Sequence, residues 1–497
     1  MIAGLVLLVW GLGSGLVLSW LGSGLELTYA SEEAPSRTSI QDLTPARKAI
    51  QDLTPALASF DEVWQTINDT YYDPSFGGLD WKAVRAELRP QAEAATSPED
   101  VRKVIREMLG RLKQSHFLLM SSASVEDTLP GPAAVAVELR VALPDIVITH
   151  VTPKSPAERA GLRPGEAVIA IDGHQSSEWM KAGPVEAANS RARLYEVWRR
   201  AFRVLHGASG STAVVRVRGR DGRERDVSVT RSDAPGQTVA FGNLPPLQVR
   251  VESSELSTPK KRRVGLIAFN LWMPAVDARF AQAVDTFRKA DGLIIDLRGN
   301  PGGLAGMMVG IAGQLIGEPK LLGKTQTRET ELVFNVNPRL SMPDGRRVRP
   351  FAGPVAILVD ELSASATECF AGALQSLGRV RVFGRQTLGQ ALPAMTRRLP
   401  TGDVLMYVLG DFVTSTGRRL EGEGVIPDEM VPLSIAGLAA GRDATVDAAL
   451  AWMDRAPLAL RPPLLLSSSD LHVSNSIRVR SASDPGTNAP ENVSRPR

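Results

Sequence analysis

Hydrophobic side chains in residues 60–119 recur at the spacing of helices. They stand three or four positions apart in two successive sets: Val63, Ile67 and Tyr71, then Trp81, Val84 and Leu88. Such steps keep apolar side chains on one face of a helix. The stretch Ser97-Pro98-Glu99-Asp100 adds an N-cap, a proline and an acidic first turn, which are typical of a helix start. The pattern predicts a helical domain over residues 60–125.

Residues 130–235 change to the alternating pattern of short strands. Two such runs, 213–218 and 225–230, are separated by Asp221-Gly222, a dipeptide that favours a tight hairpin. This segment is predicted to form a β domain.

From residue 264 onward, short apolar runs bounded by Gly or Pro are followed by helical patterns. The runs lie at 264–269, 292–297, 355–359 and 380–383, and the helical patterns at 276–289, 304–315, 366–377 and 443–453. Apolar runs separated by helices are typical of a largely parallel sheet covered by helices. We therefore expect an α/β domain over residues 240–455. The Ser-, Pro- and Asn-rich end of the chain has little to bury, so residues 456–497 are predicted to be a disordered tail.

The first 25 residues carry no charged side chain. Two interpretations of residues 1–30 stay open, a cleaved signal peptide and a retained membrane anchor, and either one takes the protein out of the cytoplasm. Residues 31–59 are polar and repeat Gln-Asp-Leu-Thr-Pro-Ala at 41–46 and 51–56. They are predicted to be a linker or a short helical spacer.

Composition and charge narrow the class of protein. Hydrophobic residues make up 43% of the chain and charged residues 22%, as in an ordinary globular protein. The net charge is +3, with both signs interspersed, which does not favour a nucleic-acid partner. A single cysteine, Cys369, excludes an intrachain disulfide and is better explained by packing than by reactivity. The five histidines are scattered, so no metal or organic cofactor is implied.

Ser365 follows the apolar run 355–359 at a predicted strand-to-helix corner. A hydroxyl at such a corner is exposed, and the N–H groups of the helix start can hold an acyl oxyanion. This pattern fits a nucleophile. The alternative is a simple helix cap, because Ser365-x-x-Glu368 also matches a capping box.

Three blocks, in order, resemble the C-terminal-processing (tail-specific) serine peptidases. Asp360-Glu-Leu-Ser-Ala-Ser365-Ala-Thr-Glu368 resembles their nucleophile motif. Gly292-Leu-Ile-Ile-Asp-Leu-Arg-Gly-Asn-Pro-Gly-Gly303 resembles their strand and glycine-rich turn, and Gly384-Arg-Gln-Thr-Leu-Gly389 the turn before their general base. A phosphate-binding loop is a rival for the glycine-rich turn, but its Gly-Lys-Ser/Thr ending is missing. The resemblance implies that Ser365 is the nucleophile and that the backbone N–H groups of Ala366, and of Gly302 or Gly303, bind the oxyanion.

The residue at the position of the family's general-base lysine is Gln390. An amide does not titrate, so Gln390 cannot act as the base. Lys320 and Lys324 have no motif support. The segment Leu109-Gly-Arg-Leu-Lys-Gln-Ser-His116 resembles the histidine-bearing segment of the tricorn-core branch, where a Ser-His pair precedes the PDZ-like domain.

This second resemblance implies that His116 is the base and that Ser115 supports it. Arg418-Arg-Leu-Glu421-Gly-Glu-Gly-Val-Ile-Pro-Asp428 resembles the family's E-x-x-G-x-x-P-D segment, which makes Glu421 the fourth member of the site. Local sequence alone leaves alternatives open: His116 as a helix-end cap, Glu421 as an exposed turn carboxylate, and Glu423 in place of Glu421.

Three further blocks resemble a PDZ domain: Val151-Thr-Pro-Lys-Ser-Pro-Ala157, Ala160-Gly-Leu-Arg-Pro-Gly165 and Val168-Ile-Ala-Ile-Asp-Gly173. PDZ domains add an extended peptide to a sheet edge and commonly hold its terminal carboxylate in a glycine-bearing loop. The matching stretch here, Ala133-Ala-Val-Ala-Val137, contains no glycine. The resemblance therefore implies peptide binding but leaves carboxylate recognition unsupported.

Taken together, the resemblances imply a multidomain α+β protein with a helical domain, a PDZ-like β domain and an α/β (crotonase/ClpP-like) catalytic core. The implied function is that of an exported serine-type endopeptidase, with or without a membrane tether, acting on polypeptides presented through the PDZ domain. Because the family's lysine is missing, the alternative is a catalytically inactive relative that binds peptides or lipophilic ligands.

Overall fold

The computed structural model describes residues 52–121, 133–181, 191–242, 244–456 and 476–481. The predicted signal peptide or anchor and most of the predicted linker lie outside the described residues. All described residues belong to one compact unit. Among them, no helix combines the length and the apolar character needed to cross a bilayer.

The N-terminal part of the described chain is helical, as its spacing predicts. It contains α1 (Thr54–Thr70), a 3-10 turn (Phe76–Gly78), α2 (Trp81–Glu93) and α3 (Pro98–Gly110). Helix α1 begins at Thr54, before residue 60 and inside the segment predicted to be a linker or a short helical spacer, and Pro55 suits its first turn. Helix α3 begins as predicted, with the Ser97 side chain accepting from the N–H of Asp100. Phe60, Ile67 and Leu88 are fully buried between the helices.

A short strand joins this helical part to the C-terminal half of the chain. Strand β1 (Leu118–Met120) pairs antiparallel with β21 (Val404–Val408), which pairs with β20 (Ala394–Arg398). The two parts share one hydrophobic cluster there, since Leu405 and Tyr407 pack with the side chains of α1 to α3. The loop between α3 and β1, which carries Ser115 and His116, is thus held against the α/β core.

The predicted β domain is present, with the expected hairpin. Its main sheet has the order β3-β4-β5-β8-β9, and the short strand β6 (His174–Gln175) pairs with β5. The five ordered strands are Val137–Ala142, Asp145–Val151, Ala167–Ile171, Thr212–Arg218 and Glu224–Thr230. The helices of this part are α4 (Pro156–Arg159), α5 (Ser176–Lys181) and α6 (Arg191–Leu205). A second small sheet has β2 (Ala133–Ala134) between β7 (His206–Gly207) and β10 (Ser232–Asp233).

The core has the predicted, largely parallel sheet covered by helices. A hairpin of β11 (Gln237–Phe241) and β12 (Leu244–Val249) comes first. The main sheet of the core has six strands in the order β13-β14-β15-β18-β19-β23. These strands are, in the same order, Val251–Ser257, Arg263–Phe269, Gly292–Asp296, Val355–Val359, Arg381–Gly384 and Glu429–Met430. Only the β13–β14 pair in it is antiparallel. The helices here are α7 (Pro274–Thr286), α8 (Met307–Ala312), α9 (Ala366–Ser376), α10 (Ile435–Ala439) and α11 (Ala444–Met453).

Alternate residues of the parallel strands are buried on opposite faces of the sheet. Ile295 and Ile357 belong to the large cluster with α7 to α9, whereas Ile294 and Leu358 pack with Met453 of α11. Burial on both faces explains the continuous apolar runs in the sequence. Helix α8 is shorter than predicted, because the N–H of Leu304 donates to the carbonyl of Trp272 instead of starting a helix.

A separate four-stranded sheet corrects the prediction for the tail. Its order is β22-β16-β17-β24, formed by Gly410–Thr414, Lys320–Thr327, Thr330–Val336 and Ser476–Ser481. Residues 476–481, predicted to be disordered, pair antiparallel with β17. The open edge of β17 offers backbone hydrogen bonds that do not depend on the composition of the tail.

Candidate active site

Ser365 lies where the sheet turns into α9. Strand β18 ends at Val359, and α9 begins at Ala366. Ser365 has φ 57° and ψ −123°, which is not the extended conformation of an ordinary N-cap. A non-glycine residue in this region is strained, by about 1–3 kcal/mol, and such strain concentrates at functional corners. The predicted capping box is also present, since the Glu368 side chain accepts from the N–H of Ser365 at 3.1 Å. The half-buried Ser365 therefore combines a helix-cap contact with the strained backbone typical of a nucleophile at a strand-to-helix turn.

The glycine-rich turn after β15 packs directly against this corner. Gly302 has φ 101°, and a Cβ added to it would lie 2.6 Å from the Cβ of Ser365. Asn300 fixes the contact, because its carbonyl accepts from the N–H of Ala364 at 3.1 Å. Its side chain accepts from the N–H of Gly302 at 3.0 Å. Only glycine allows so close an approach.

The expected oxyanion donors differ in availability. The N–H of Gly302 is already used by Asn300. Within the described residues, the N–H groups of Gly303 and Ala366 donate to no acceptor. Gly303 also lines the cavity onto which Ser365 opens.

Ser115, His116 and Glu421 form one hydrogen-bonded chain. The Oγ of Ser115 lies 2.7 Å from Nδ1 of His116 and donates to Oε2 of Glu421 at 3.0 Å. The N–H of Ser115 donates to Oε1 of the same carboxylate at 3.1 Å. Because the Ser115 hydroxyl has one proton and gives it to Glu421, its oxygen accepts from Nδ1–H of His116. The second ring nitrogen, Nε2, then carries the free lone pair.

The imidazole of His116 is held neutral by its surroundings. Burial lowers the pKa of His116 from 6.5 to about 4, since desolvation penalises the imidazolium. At neutral pH the ring is therefore a proton acceptor. The residue has φ 61°, a conformation in which histidine is commoner than most side chains.

Glu421, and not Glu423, makes these contacts. Besides Ser115, its Oε2 accepts from the N–H of Ala391 at 2.8 Å. The Glu423 carboxylate lies 3.7 Å from a guanidinium nitrogen of Arg418, and Glu423 is exposed. The turn that carries Gln390 and Ala391 therefore connects Ser365, through the Gln390 carbonyl, to the Ser115–His116 pair, through Glu421.

Gln390 supports this link through its backbone. Its carbonyl accepts from the N–H of Ser365 at 2.7 Å, and Gln390 lines the same cavity as Ser365 and His116. No lysine of the described residues lines that cavity. Lys320 and Lys324 form ion pairs with Glu318 and Glu331, respectively, on or just before strands β16 and β17 of the four-stranded sheet.

The cavity has a volume of about 2330 Å³ and contains both Ser365 and His116 in its lining. It extends from β1 and β20, where Leu118 and Met395 expose apolar side chains, to the PDZ-like domain. No hydrogen bond joins Ser365 to His116 in the part of the chain that the structure describes. Catalytic hydrogen bonds of this kind often form only when substrate is bound.

Glu368 is a member of the site that sequence reasoning treated only as part of a capping box. It is fully buried and accepts from the N–H groups of Gly389 at 2.7 Å, Gln390 at 2.9 Å and Ser365 at 3.1 Å, and from the hydroxyl of Thr387. Burial raises its pKa to about 7, although these donors oppose the rise. Glu368 thus ties the nucleophile to the following turn, and its spacing from Ser365 was the only signal in the sequence.

A buried ion pair, which no sequence motif marks, connects the corner to the PDZ-like domain. Nε of Arg140, on β3, donates to Oδ2 of Asp360 at 2.6 Å. Oδ1 of Asp360 accepts from the N–H groups of Gly299 at 2.8 Å and Leu362 at 3.1 Å. Burial opposes ionisation of Asp360, but the guanidinium groups of Arg140 and Arg385 lower its pKa to about 2.

Cys369 is packed rather than reactive. It is buried one turn beyond Ser365, and burial raises the pKa of its thiol well above the ordinary value. In the described residues, no group of three or more His, Cys, Asp or Glu side chains is arranged to hold a metal ion.

Three family models match the chain in the order that the fold displays. Residues 57–110 match the Tricorn protease C1 domain, residues 147–181 a PDZ domain and residues 263–431 peptidase family S41. The S41 match spans the glycine-rich turn, Ser365, Gln390 and Glu421.

Curated relatives agree with these matches. The "Probable CtpA-like serine protease" of Staphylococcus aureus (strain COL) is 28% identical over 298 residues, which is 59% of this chain and 51% of that protein. The chain thus spans about half the length of the staphylococcal relatives. The "Carboxyl-terminal-processing protease" of Picosynechococcus sp. is 26% identical over 391 residues, 76% of this chain and 84% of that one.

Solved structures share the fold. The photosystem II D1 C-terminal processing protease is 22% identical, with a TM-score of 0.50 over 79% of this chain and 99% of its own. Mature CPAF complexed with lactacystin is 14% identical, with a TM-score of 0.52 over 81% and 97%. The α/β core is thus similar to peptidase family S41 over residues 263–431, and a PDZ-like domain and a Tricorn C1-like helical part precede it. Its relatives of known sequence are serine proteases of the C-terminal-processing type.

Proposed function

We propose that this protein is a serine endopeptidase that cleaves polypeptides, with Ser365 as nucleophile and His116 as general base. One observation carries the proposal. The Ser115–His116–Glu421 chain leaves a neutral imidazole nitrogen without a hydrogen-bond partner among the described residues, in the cavity that Ser365 lines. The match of residues 263–431 to peptidase family S41 does not favour the inactive alternative.

The acylation step uses these groups in sequence. Nε2 of His116 takes the proton of the Ser365 hydroxyl while Oγ attacks the scissile carbonyl carbon. The N–H groups of Gly303 and Ala366 bind the developing oxyanion, since both are free to donate. The carboxylate of Glu421, acting through Ser115, stabilises the imidazolium that forms.

Collapse of the tetrahedral intermediate releases the amine. His116 gives its proton to the leaving nitrogen, the C–N bond breaks, and an acyl ester on Ser365 remains. Water then enters, gives a proton to His116 and attacks the ester, and the proton returns to Ser365 as the carboxylic acid leaves. The cycle needs no group beyond water.

The proposal includes how the substrate reaches the site and where the protein acts. The PDZ-like domain lines the cavity that contains Ser365, so a peptide bound there lies on the path to the nucleophile. The uncharged residues 1–25 support export, with cleavage of the segment or its retention as an anchor left open.

Hydrolysis of an unstructured protein tests the chemistry. We expect the full chain to degrade casein, and Ser365→Ala and His116→Ala to abolish the degradation. Lys320→Ala and Lys324→Ala are the matched controls, because they remove the two lysines considered as alternative bases yet lie outside the cavity. Activity that survives His116→Ala but is lost with either lysine would overturn the assignment of the base. No hydrolysis by any form would support the inactive scaffold.

A further inference from the structure

Arg191, the first residue of α6, makes its hydrogen bonds to the α/β core. Its Nη2 donates to the carbonyl of Gly422 at 2.8 Å and to that of Glu423 at 3.0 Å. Its Nε donates to the carbonyl of Leu388 at 3.4 Å. All three acceptors are main-chain oxygens, so the contact fixes the path of the core backbone and not the orientation of a side chain.

The guanidinium of Arg191 is not shared with a carboxylate. Within the described part of the chain, Arg191 forms no ion pair, and its hydrogen bonds go to these carbonyls. Arg199 and Arg200 of the same helix instead pair with Glu196. Because a guanidinium is planar and carries several fixed N–H groups, it can hold separate acceptors at once.

The three acceptors lie in two turns that carry the site. We call them the Gln390 turn (residues 386–391) and the Glu421 turn (residues 420–424). The Gln390 turn accepts from the N–H of Ser365, and the Glu421 turn supplies the carboxylate that holds Ser115. Arg191 donates to both turns, so it lies across the junction that sets the carboxylate relative to the nucleophile.

The Glu421 turn depends on hydrogen bonds for its shape, because it is rich in glycine. Gly422 and Gly424 have φ of 80° and 75°, and glycine gives the backbone extra freedom. The N–H of Gly422 donates to the carbonyl of Gly389 at 2.9 Å, and the carbonyl of Gly422 accepts from Arg191. Arg191 thus supplies one of the two contacts that hold the residue directly after Glu421.

The guanidinium approaches both turns closely without entering the cavity. An added Cβ at Gly389, which has φ 81°, would lie 3.2 Å from Nη2 of Arg191 and 2.9 Å from the carbonyl oxygen of Gly422. Only glycine leaves this space open. Among the described residues, those that line the cavity with Ser365 do not include Arg191. Arg191 therefore acts on the site through the two turns and not by contact with substrate.

We propose that Arg191 is a positioning residue for peptide hydrolysis: it holds the Glu421 turn against the Gln390 turn from outside the cavity, and so keeps the Glu421 carboxylate on Ser115. The inference rests on the proposed function, since Glu421 serves hydrolysis through Ser115 and His116. It predicts that Arg191 contributes to proton transfer and leaves substrate binding unchanged.

Steady-state hydrolysis of a quenched fluorescent peptide by full-length Arg191→Met tests the proposal. Methionine keeps an apolar side chain of similar reach but donates no hydrogen bond. We expect kcat to fall by about tenfold and KM to change by less than about twofold. Arg191→Lys should have an intermediate kcat, because an ammonium group keeps the charge but lacks the planar fork.

Arg200→Met is the matched control. Arg200 lies on the same helix, does not line the cavity and loses only a surface ion pair with Glu196, so kcat and KM should equal those of the wild type. Thermal unfolding checks that each variant is folded. A rise in KM at unchanged kcat for Arg191→Met, or equal kcat values for Arg191→Met and Arg200→Met, would overturn the proposal.

Combination with Glu421→Gln distinguishes positioning of the carboxylate from general loosening of the fold. Arg191→Met should lower kcat of the wild type by about tenfold but that of Glu421→Gln by less than about twofold, because the carboxylate that Arg191 positions is already gone. A tenfold loss in both backgrounds would show that Arg191 does not act through Glu421.

Amide hydrogen exchange makes the test independent of hydrolysis. The N–H groups of Ser115 and Ala391 donate to Glu421, so both should exchange at least about twofold faster in Arg191→Met and at the wild-type rate in Arg200→Met. Faster exchange in a protein whose wild-type form cleaves nothing would support the role of Arg191 and reject the peptidase chemistry. Unchanged exchange in Arg191→Met would overturn that role whatever the activity, so the two proposals fail separately.

Discussion

Ser115 decides which nitrogen of His116 is basic. Its hydroxyl donates to Glu421 and accepts from Nδ1–H, so the carboxylate fixes the tautomer through an intervening oxygen. A direct carboxylate–imidazole contact does the same in other serine proteases. In the proposed mechanism, this arrangement replaces the general-base lysine that the resembling family carries at the position of Gln390.

Glu421→Gln tests this relay. The amide cannot hold the Ser115 proton as a carboxylate does, and it leaves the imidazolium without a compensating charge. We expect kcat to fall by about 10²-fold or more with KM little changed, because the effect is confined to proton transfer. The measurement is steady-state hydrolysis of a quenched fluorescent peptide.

Glu423→Gln is the matched control for Glu421→Gln, since Glu423 is exposed two residues away and does not contact Ser115. Equal losses in both variants would contradict the relay.

His116 also predicts a pH dependence of stability. Its pKa is about 4 in the folded protein and near 6.5 in the unfolded chain. Between these values the unfolded state binds more proton, so the free energy of unfolding decreases as pH falls from 6.5 towards 4. His116→Gln removes this dependence, and the stability advantage of the wild type over the variant should shrink on acidification.

Urea denaturation of the wild type and His116→Gln, from about pH 7.5 to about pH 5, measures the difference. Subtraction removes the contributions of other groups, including Glu368. A constant difference across this range would show that His116 is not buried as described.

At the scale of elements, the glycine-rich turn packs against the start of α9 and so fixes the position of Ser365. Gly302→Ala should abolish activity, because the new Cβ would lie 2.6 Å from Ser365 and 2.9 Å from the carbonyl oxygen of Ala364. Backbone strain at its φ of 101° adds about 1–3 kcal/mol of destabilisation. Peptide hydrolysis and thermal unfolding measure the two effects.

Gly345→Ala separates strain from contact. Gly345 has φ 83° but no atom within 4 Å of an added Cβ. The Gly345→Ala variant should therefore lose stability and keep its peptidase activity. If Gly302→Ala behaved in the same way, the close packing of the turn on Ser365 would be refuted.

The elements were largely predictable because their signals are local. Alternation of apolar runs and helical patterns identified the α/β core, and Asp221-Gly222 identified the hairpin. The start of α1 was placed too late, since a proline interpreted as a linker signal also suits a first helical turn. Strand β24 was missed because its pairing depends on the distant edge of β17 and not on its own sequence.

The candidate site was predictable only where a motif marks it. Ser365, His116, Ser115 and Glu421 were all named from motifs, and the structure joins the last three by hydrogen bonds. The central role of Glu368 was missed, because its donors converge on it from two separate segments of the chain. The Arg140–Asp360 pair was also missed, since 220 positions separate its members.

At the scale of the whole molecule, the Arg140–Asp360 ion pair joins the PDZ-like domain to the corner that carries Ser365. Both side chains are buried, and Asp360 also holds the turn before Ser365. Arg140→Met removes the cation that is hydrogen-bonded to the buried Asp360 carboxylate, so we expect a loss of about 3–5 kcal/mol in the free energy of unfolding. Activity should fall as well, because the same carboxylate orients the corner.

Arg216→Met provides the comparison, since the Arg216–Asp226 pair is exposed on the same domain and should contribute less than about 1 kcal/mol. Chemical denaturation of both variants measures the contrast. Similar losses in the free energy of unfolding of the two variants would mean that the buried Arg140–Asp360 pair stabilises the fold no more than an exposed ion pair does.

The site as a whole depends on two distant parts of the chain meeting across one cavity. The pairing of β1 with β21 holds the loop of His116 against the core, and the backbone of Gln390 connects that side to Ser365. Activation of Ser365 by one imidazole is best tested by the rate of its reaction with a fluorophosphonate probe, followed by mass spectrometry of the labelled peptide. We predict a single adduct on Ser365 and a rate at least about 100-fold lower in His116→Ala. Equal labelling rates in the two proteins, or an adduct on another residue, would contradict this mechanism.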